Sequence, residues 1–211
     1  MKPRHHIDQR TTNAEMTALT RSKTLAATIA SLAEVGYAGT TISGIAERVG
    51  LTRAALIYHF ESKNVLMAAT VDALYDHIAE RYRSADLSGL SPLDQVLAVL
   101  DIQYARAFTS NEIAMIELLL AAQRDPELWN VMSPVIEQRQ NELQRAWKDL
   151  ISTIPADSER LNLLRDLSVS ISRGMTISRI LRTDMSTFDR QHEELRAILK
   201  NEVRGLRGAK N

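Results

Sequence analysis

The sequence predicts an all-α fold of about nine helices, and three observations carry that reading. Apolar residues recur every three or four positions through most of the chain. Ser, Thr or Asp stands where these runs begin, and Gly or Pro stands where several of them stop. With 45% hydrophobic and 25% charged residues the composition is that of an ordinary globular chain, which excludes disorder as the default state.

Residues 1–16 are polar and aperiodic, and read as a flexible arm. From Thr20 to Val35 a helix is expected, with Leu25, Ile29 and Leu32 on one stripe and alanines filling close contacts; Gly36 ends it. Thr41 is placed to cap a short helix carrying Ile42, Ile45 and Val49, which Gly50 stops in the left-handed conformation. Thr52 caps a second short helix, Arg53 to Phe60, with Leu56 and Phe60 four apart on one face. Gly44 is out of place early in the first of these, where Gly costs about 1 kcal/mol against Ala. Two short helices joined by a turn of this length form a helix-turn-helix, whose second helix is shaped to enter a DNA major groove.

Ser62 caps a long helix to about Arg83, with Val65, Leu66, Ala69, Ala73 and Ile78 facing inward. Asp72, Asp76 and Glu80 lie four apart on it, a solvated acidic face in preference to a metal-binding edge. Ser91-Pro92-Leu93-Asp94 opens a helix bearing Leu93, Leu97, Leu100, Tyr104 and Phe108. Asn111 to Ala122 is apolar on nearly every side and reads as a helix buried among others. Asp125-Pro126 restarts the chain, and Ser133-Pro134 should break or kink it before a helix with Val135, Leu143, Trp147, Leu150 and Ile154 that ends near Pro155. A helix from about Asp157 to Thr183 is rich in small residues: Ser168, Ser170, Ser172, Gly174 and Ser178. Ser186 with Asp189 should cap the last helix, which bears Phe188, Leu195, Ile198, Leu199, Val203 and Leu206.

Several function classes are excluded or disfavoured at this level. The chain has no Cys, hence no disulfide framework, thiolate chemistry or Cys-based zinc site. No apolar run approaches the length of a membrane span, and the first residues have no signal-peptide core, so no membrane partner and a cytoplasmic location are expected. There is no Gly-rich phosphate loop or nucleophile elbow, and none of the five His lies in a metal-ligand spacing. Neither an enzyme nor a metal or other cofactor is expected. The formal net charge is zero, yet residues 1–63 carry eight Lys and Arg against five Asp and Glu. A basic amino-terminal part on an acidic body suits a small phosphate-facing module, and Arg4, His5, His6 and Arg10 of the arm are candidates to extend it.

Leu25 to Met67, with Ala26-Ala27, Gly36-Tyr37, Thr40-Thr41, Ile45-Ala46, Gly50-Leu51, Leu56, His59-Phe60, Ser62-Lys63 and Leu66, resembles the DNA-binding domain of the tetracycline-repressor family. The resemblance covers about a quarter of the chain and depends on those residues at those spacings. It implies an amino-terminal three-helix DNA-binding domain (17–64) and a larger helical ligand-binding and dimerisation domain (65–211). It also implies a homodimer formed through the last two helices, a double-stranded, palindromic DNA operator and release by a small, largely apolar effector. One position departs from the family: Ile57 follows Leu56 where a Tyr is usual, and Tyr58 comes next.

Carried over residue by residue, the resemblance implies that Thr41, Thr52, Tyr58, His59 and Lys63 contact the DNA backbone. Arg53, Ala54 and Ala55, in the first turn of the second short helix, then face the bases. The chemistry agrees, since hydroxyls and helix amino termini donate to phosphate, Arg pairs with guanine and an Ala methyl meets thymine. The effector is expected near Tyr104, Phe108, Met115, Leu118, Trp129, Met132 and Met175; Glu117 and Arg139 each orient it, pair with the other, or point to solvent. The alternative is a helical interaction module whose helix-turn-helix has lost specific DNA binding, and Ile57 is the feature that admits it.

Overall fold

The computed structural model describes residues 9–152, 158–179, 181 and 184–208, with side chains from 14 to 201 within those stretches. Among the described residues there are nine helices and no strand. They are α1 (Gln9–Gly39), α2 (Ile42–Val49), α3 (Arg53–Phe60), α4 (Lys63–Ser84), α5 (Pro92–Arg106), α6 (Ser110–Arg124), α7 (Pro126–Ile151), α8 (Ser158–Ser178) and α9 (Ser186–Gly208).

The caps follow the local chemistry. The side chains of Thr41, Thr52, Ser62, Ser91, Thr109 and Asp125 accept backbone N–H groups at the starts of α2 to α7. Gly50 closes α2 at φ 70°, ψ 30°. Gly36 takes φ 70° with ψ 178°, so α1 is kinked there and continues for one further turn to Gly39.

Three expectations need correction. Helix α1 begins at Gln9, so residues 9–16 are helical, and Met16 and Leu19 are 67% and 56% exposed. Arg4, His5 and His6 lie outside the described residues. Pro134 does not break α7, because it removes one donor on the exposed side while Leu128, Met132 and Ile136 hold the helix by burial. The carboxylate of Asp184, in place of Ser186, receives the first amide of α9, at 3.0 Å from the Ser186 N–H. Ile154, Pro155 and Thr183 lie outside the described residues, as do the side chains of Val203 and Leu206.

Three apolar clusters hold the helices together. The first joins Ile29 and Leu32 of α1, Ile45 of α2, Leu56 and Phe60 of α3 and Leu66, Val71, Leu74 and Tyr75 of α4 to Met115 and Leu118 of α6 and Leu128 and Met132 of α7. This core runs without interruption across the expected domain boundary at residue 64. The second links Leu97 and Leu100 of α5, Trp147 of α7, Leu161 and Leu164 of α8 and Leu199 of α9. The third is small: Ala107, Met175 and Phe188, flanked by Tyr104 and Phe108. Each fully buried Leu or Phe contributes about 1.5–3 kcal/mol relative to exposure. No described helix is long and apolar enough to cross a membrane.

The small residues of α8 divide between two faces. Ser168 and Ser172 are buried and donate to the side-chain and backbone oxygens of Gln103 at 2.5 and 2.9 Å, which brings α5 close. Ser170 and Gly174 look outward with Leu163, Leu167 and Ile171, all of them exposed. Between α8 and α9 this face forms an open groove of about 390 Å³, lined by Ile171, Gly174, Met175, Leu195 and Ile198 among others. The acidic face of α4 is largely paired: Arg139 bonds Asp72 at 2.6 Å and Asp76 at 2.9 Å, and Glu80 meets Arg83.

Candidate nucleic-acid interface

Helix α3 is anchored by its inner side. Leu56 and Phe60 are essentially unexposed, and the Arg21 guanidinium of α1 lies 4.7 Å over the Phe60 ring. With that side fixed, Arg53, Ala54 and Tyr58 stand in solvent, Tyr58 86% exposed, while Ala55, Ile57 and His59 are half-buried. The His59 ring meets Tyr58 edge-on, 5.8 Å between centroids. Thr41 and Thr52 each accept a backbone N–H at 3.1 Å, from Gly44 and Ala55. Acceptance leaves each hydroxyl its own O–H to donate outward.

The same contact accounts for Gly44. A Cβ there would sit 3.2 Å from the Thr41 hydroxyl oxygen, so the residue keeps room for the cap, not for a neighbouring helix. The turn before α2 is held by Thr40, fully buried, whose hydroxyl donates to the Gly36 carbonyl at 2.8 Å and meets Ser31 at 3.1 Å. After α3 the chain reverses through Glu61 at φ 57°, with Ser62 N–H reaching the Phe60 carbonyl at 2.5 Å, a tight and strained three-residue turn.

Residues 25–70 match the family described as bacterial regulatory proteins, tetR family. Residues 25–70 thus form a tetR-family DNA-binding domain. It is 29% identical over 183 residues to the HTH-type transcriptional regulator CymR of Pseudomonas putida, covering 86% of this chain and 90% of that protein. Its fold is similar to that of a transcriptional regulator from Rhodococcus sp. RHA1, with a TM-score of 0.69, 18% identity, and 88% and 95% of the two chains covered. It is also similar to that of a TetR transcription regulator from Haloarcula marismortui, with a TM-score of 0.68, 20% identity, and 90% and 98% covered. This tetR-family chain is thus a helix-turn-helix, DNA-binding transcriptional regulator.

Not all eight expected DNA-facing residues of this tetR-family head are equally available. Lys63 is half-buried: its ammonium lies 4.0 Å over the Tyr37 ring and donates to the Tyr37 carbonyl at 3.2 Å. Burial lowers its pKa. Lys63 thus ties the start of α4 to the end of α1.

The body residues proposed for an effector fall in separate places. Tyr104, Phe108 and Met175 group around Phe188, with Tyr104 stacked on His192 (4.1 Å between centroids) and its hydroxyl on Asp189 at 2.5 Å. Met115, Leu118 and Met132 belong to the first core, and Trp129 is 45% exposed. Glu117 neither pairs with Arg139 nor joins these groups. Its carboxylate accepts the Tyr37 backbone N–H at 3.1 Å, and a Cβ on Gly36 would come within 3.0 Å of the same oxygen. The kink at Gly36, available to Gly because φ is positive, is what brings α6 onto the end of α1.

Sequence reasoning missed a second buried polar group. Glu112 of α6 is 2% exposed and receives two bonds from Arg106, at 3.0 and 2.6 Å. Its other oxygen faces Arg173 of α8 at 4.0 Å. The available signal was a Glu at the head of an otherwise apolar helix and an Arg among small residues. Among the described residues no cluster of His, Asp and Glu is placed to hold a metal ion.

Proposed function

We propose that the chain is a repressor that binds a palindromic operator as a homodimer and is released by a small, largely apolar effector. The observation that carries this is the outward surface of α3, where Arg53, Ala54 and Tyr58 are exposed on a helix locked from behind by Leu56 and Phe60. Arg53 reads guanine, Ala54 and Ala55 meet thymine methyls, and Thr41, Thr52, Tyr58, His59 and the remaining donors of Lys63 hold phosphates. So few hydrogen-bonding groups on the reading surface leave part of the specificity to dimer spacing and DNA shape. The unpartnered apolar face of α8 and α9, with Leu163, Leu167, Ile171 and Ile198 exposed, supports dimerisation there.

Release is a matter of linkage. An effector held against Met115, Leu118 and Met132, or the Tyr104, Phe108 and Met175 group, must favour the conformation that lets go of DNA. Helix α6 passes any shift to Tyr37 through Glu117, and α4 passes it through Lys63. The end of α1 and the turn into α2 then move, and the two recognition helices no longer match their half-sites.

Binding of the purified protein to its own upstream promoter and to random DNA of equal length, across a salt series, tests the reading. Specific binding should exceed non-specific binding by about 10³-fold or more, with both falling steeply as salt rises. Equal affinity for the two DNAs at every salt concentration would make the chain a helical interaction module.

A further inference from the structure

Among the described residues of the body, charge and hydrogen bonding do not close around Glu112. Arg106 and Arg173 converge on Glu112, which leaves the group one formal positive charge in excess. Arg106 is satisfied on Glu112 Oε2. The facing atoms, Glu112 Oε1 and Arg173 Nε, are both buried and have no hydrogen-bond partner, although they lie only 4.0 Å apart. Buried polar atoms in folded proteins are almost always paired, so an acceptor facing a donor at this separation is a place where a third group could bond both. Tyr75 of α4 is 7% exposed, and the charges of Arg173, Arg106 and Glu112 all act on its hydroxyl. The Arg173 side chain is 43% exposed while that of Glu112 is 3% exposed, so the place opens to solvent along Arg173 and closes at Glu112.

We propose that Arg173 and Glu112 form the polar end of the effector site, and that the effector is a small organic carboxylate with a hydrogen-bond donor beside the carboxylate. The carboxylate takes the Arg173 Nε–H and cancels the excess charge. The adjacent hydroxyl donates to Glu112 Oε1. The hydrocarbon part lies toward the Tyr75 ring and Met115, one turn along α6 from Glu112. The proposal rests on the reading of the chain as an effector-released repressor and adds the chemical class of the effector. It also supplies a route, since Glu112 and Glu117 share α6, and the second of them holds Tyr37.

The test uses the full chain and two pairs of probes, salicylate with salicylamide and mandelate with mandelamide, in calorimetry and in release of operator DNA. At least one acid should bind about tenfold or more tighter than its amide, the range expected for a hydrogen bond to a charged group. Benzoate, which lacks the neighbouring hydroxyl, should bind less tightly than salicylate. Arg173→Met should remove the preference for acid over amide while operator affinity without ligand stays at the wild-type value. Arg173→Lys, which keeps the charge and loses the Nε–H, should retain part of the preference and guards against simple misfolding. Acids and amides binding alike, no acid binding at about millimolar concentration, or an Arg173→Met variant with unchanged preference would each overturn the proposal. Failure of the ligand-free protein to bind operator would overturn the repressor reading together with it, whereas operator binding without acid preference overturns this proposal alone.

Discussion

Glu117→Ala should weaken the link between head and body. The Glu117 carboxylate accepts the Tyr37 N–H at 3.1 Å in a half-buried setting, directly after the Gly36 kink. A hydrogen bond to a charged acceptor is worth about 1.5–3 kcal/mol, and its removal leaves a partly buried amide without a partner. A loss near 2 kcal/mol follows, which for a chain of this size lowers the melting temperature by roughly 4–8 °C. Glu117→Gln keeps an acceptor and loses the charge, so it should fall by about half as much. Thermal unfolding measures the loss, and amide exchange read at Tyr37 locates it. Operator affinity should weaken less than the response to an effector, since the recognition surface is untouched and only its link to α6 is cut. A Glu117→Ala protein within about 0.5 kcal/mol of wild type, the range of an ordinary surface change, and with Tyr37 still protected, would refute the reasoning.

Four more outcomes are expected. Arg53→Ala should cost about 1–3 kcal/mol of specific operator binding in a gel shift while non-specific binding changes little. Glu61→Gly should relieve the positive φ at the turn after α3 and raise stability by about 1 kcal/mol in urea unfolding, part of the relief being offset by the entropy of Gly. The bond from Arg48 holds the Glu34 carboxyl below its ordinary pKa of 4.5, so the contribution of this pair is complete above that range and fades as the pH falls through the lower folded value; Glu34→Gln should flatten the acid limb of a melting-temperature profile. Ile171→Glu, in the exposed face of α8, should shift the protein toward monomer in sedimentation at micromolar concentration, with its helical content unchanged.

Much of the fold was legible because its signals are local. Thr41, Thr52, Ser62 and Ser91 cap helices with their own hydroxyls three residues on, and Gly50 stops α2 in the conformation its lack of a Cβ allows. The exposed Arg53 and Tyr58 were legible for the same reason, as the positions opposite Leu56 and Phe60 on one short helix. What escaped is tertiary. Tyr37 is held by Lys63 and by Glu117, partners 26 and 80 residues away, and no periodicity announces such a meeting. The start of α1 escaped because its first turns have no apolar period, and Met16 and Leu19 stand exposed. Glu117 sits in an apolar run, and nothing in that run announces its bond to Tyr37 of α1. The serines of α8 read as one close-packing surface, yet alternate members serve α5 and the outside.

The first core passes through the boundary at residue 64 without a break, joining Leu56 and Phe60 to Met115, Leu118 and Met132. Head and body therefore share one piece of packing. A hybrid regulator made by grafting this head onto a distant relative's body would meet a mismatched seam at α6 and α7. It would need those contact residues carried along with it.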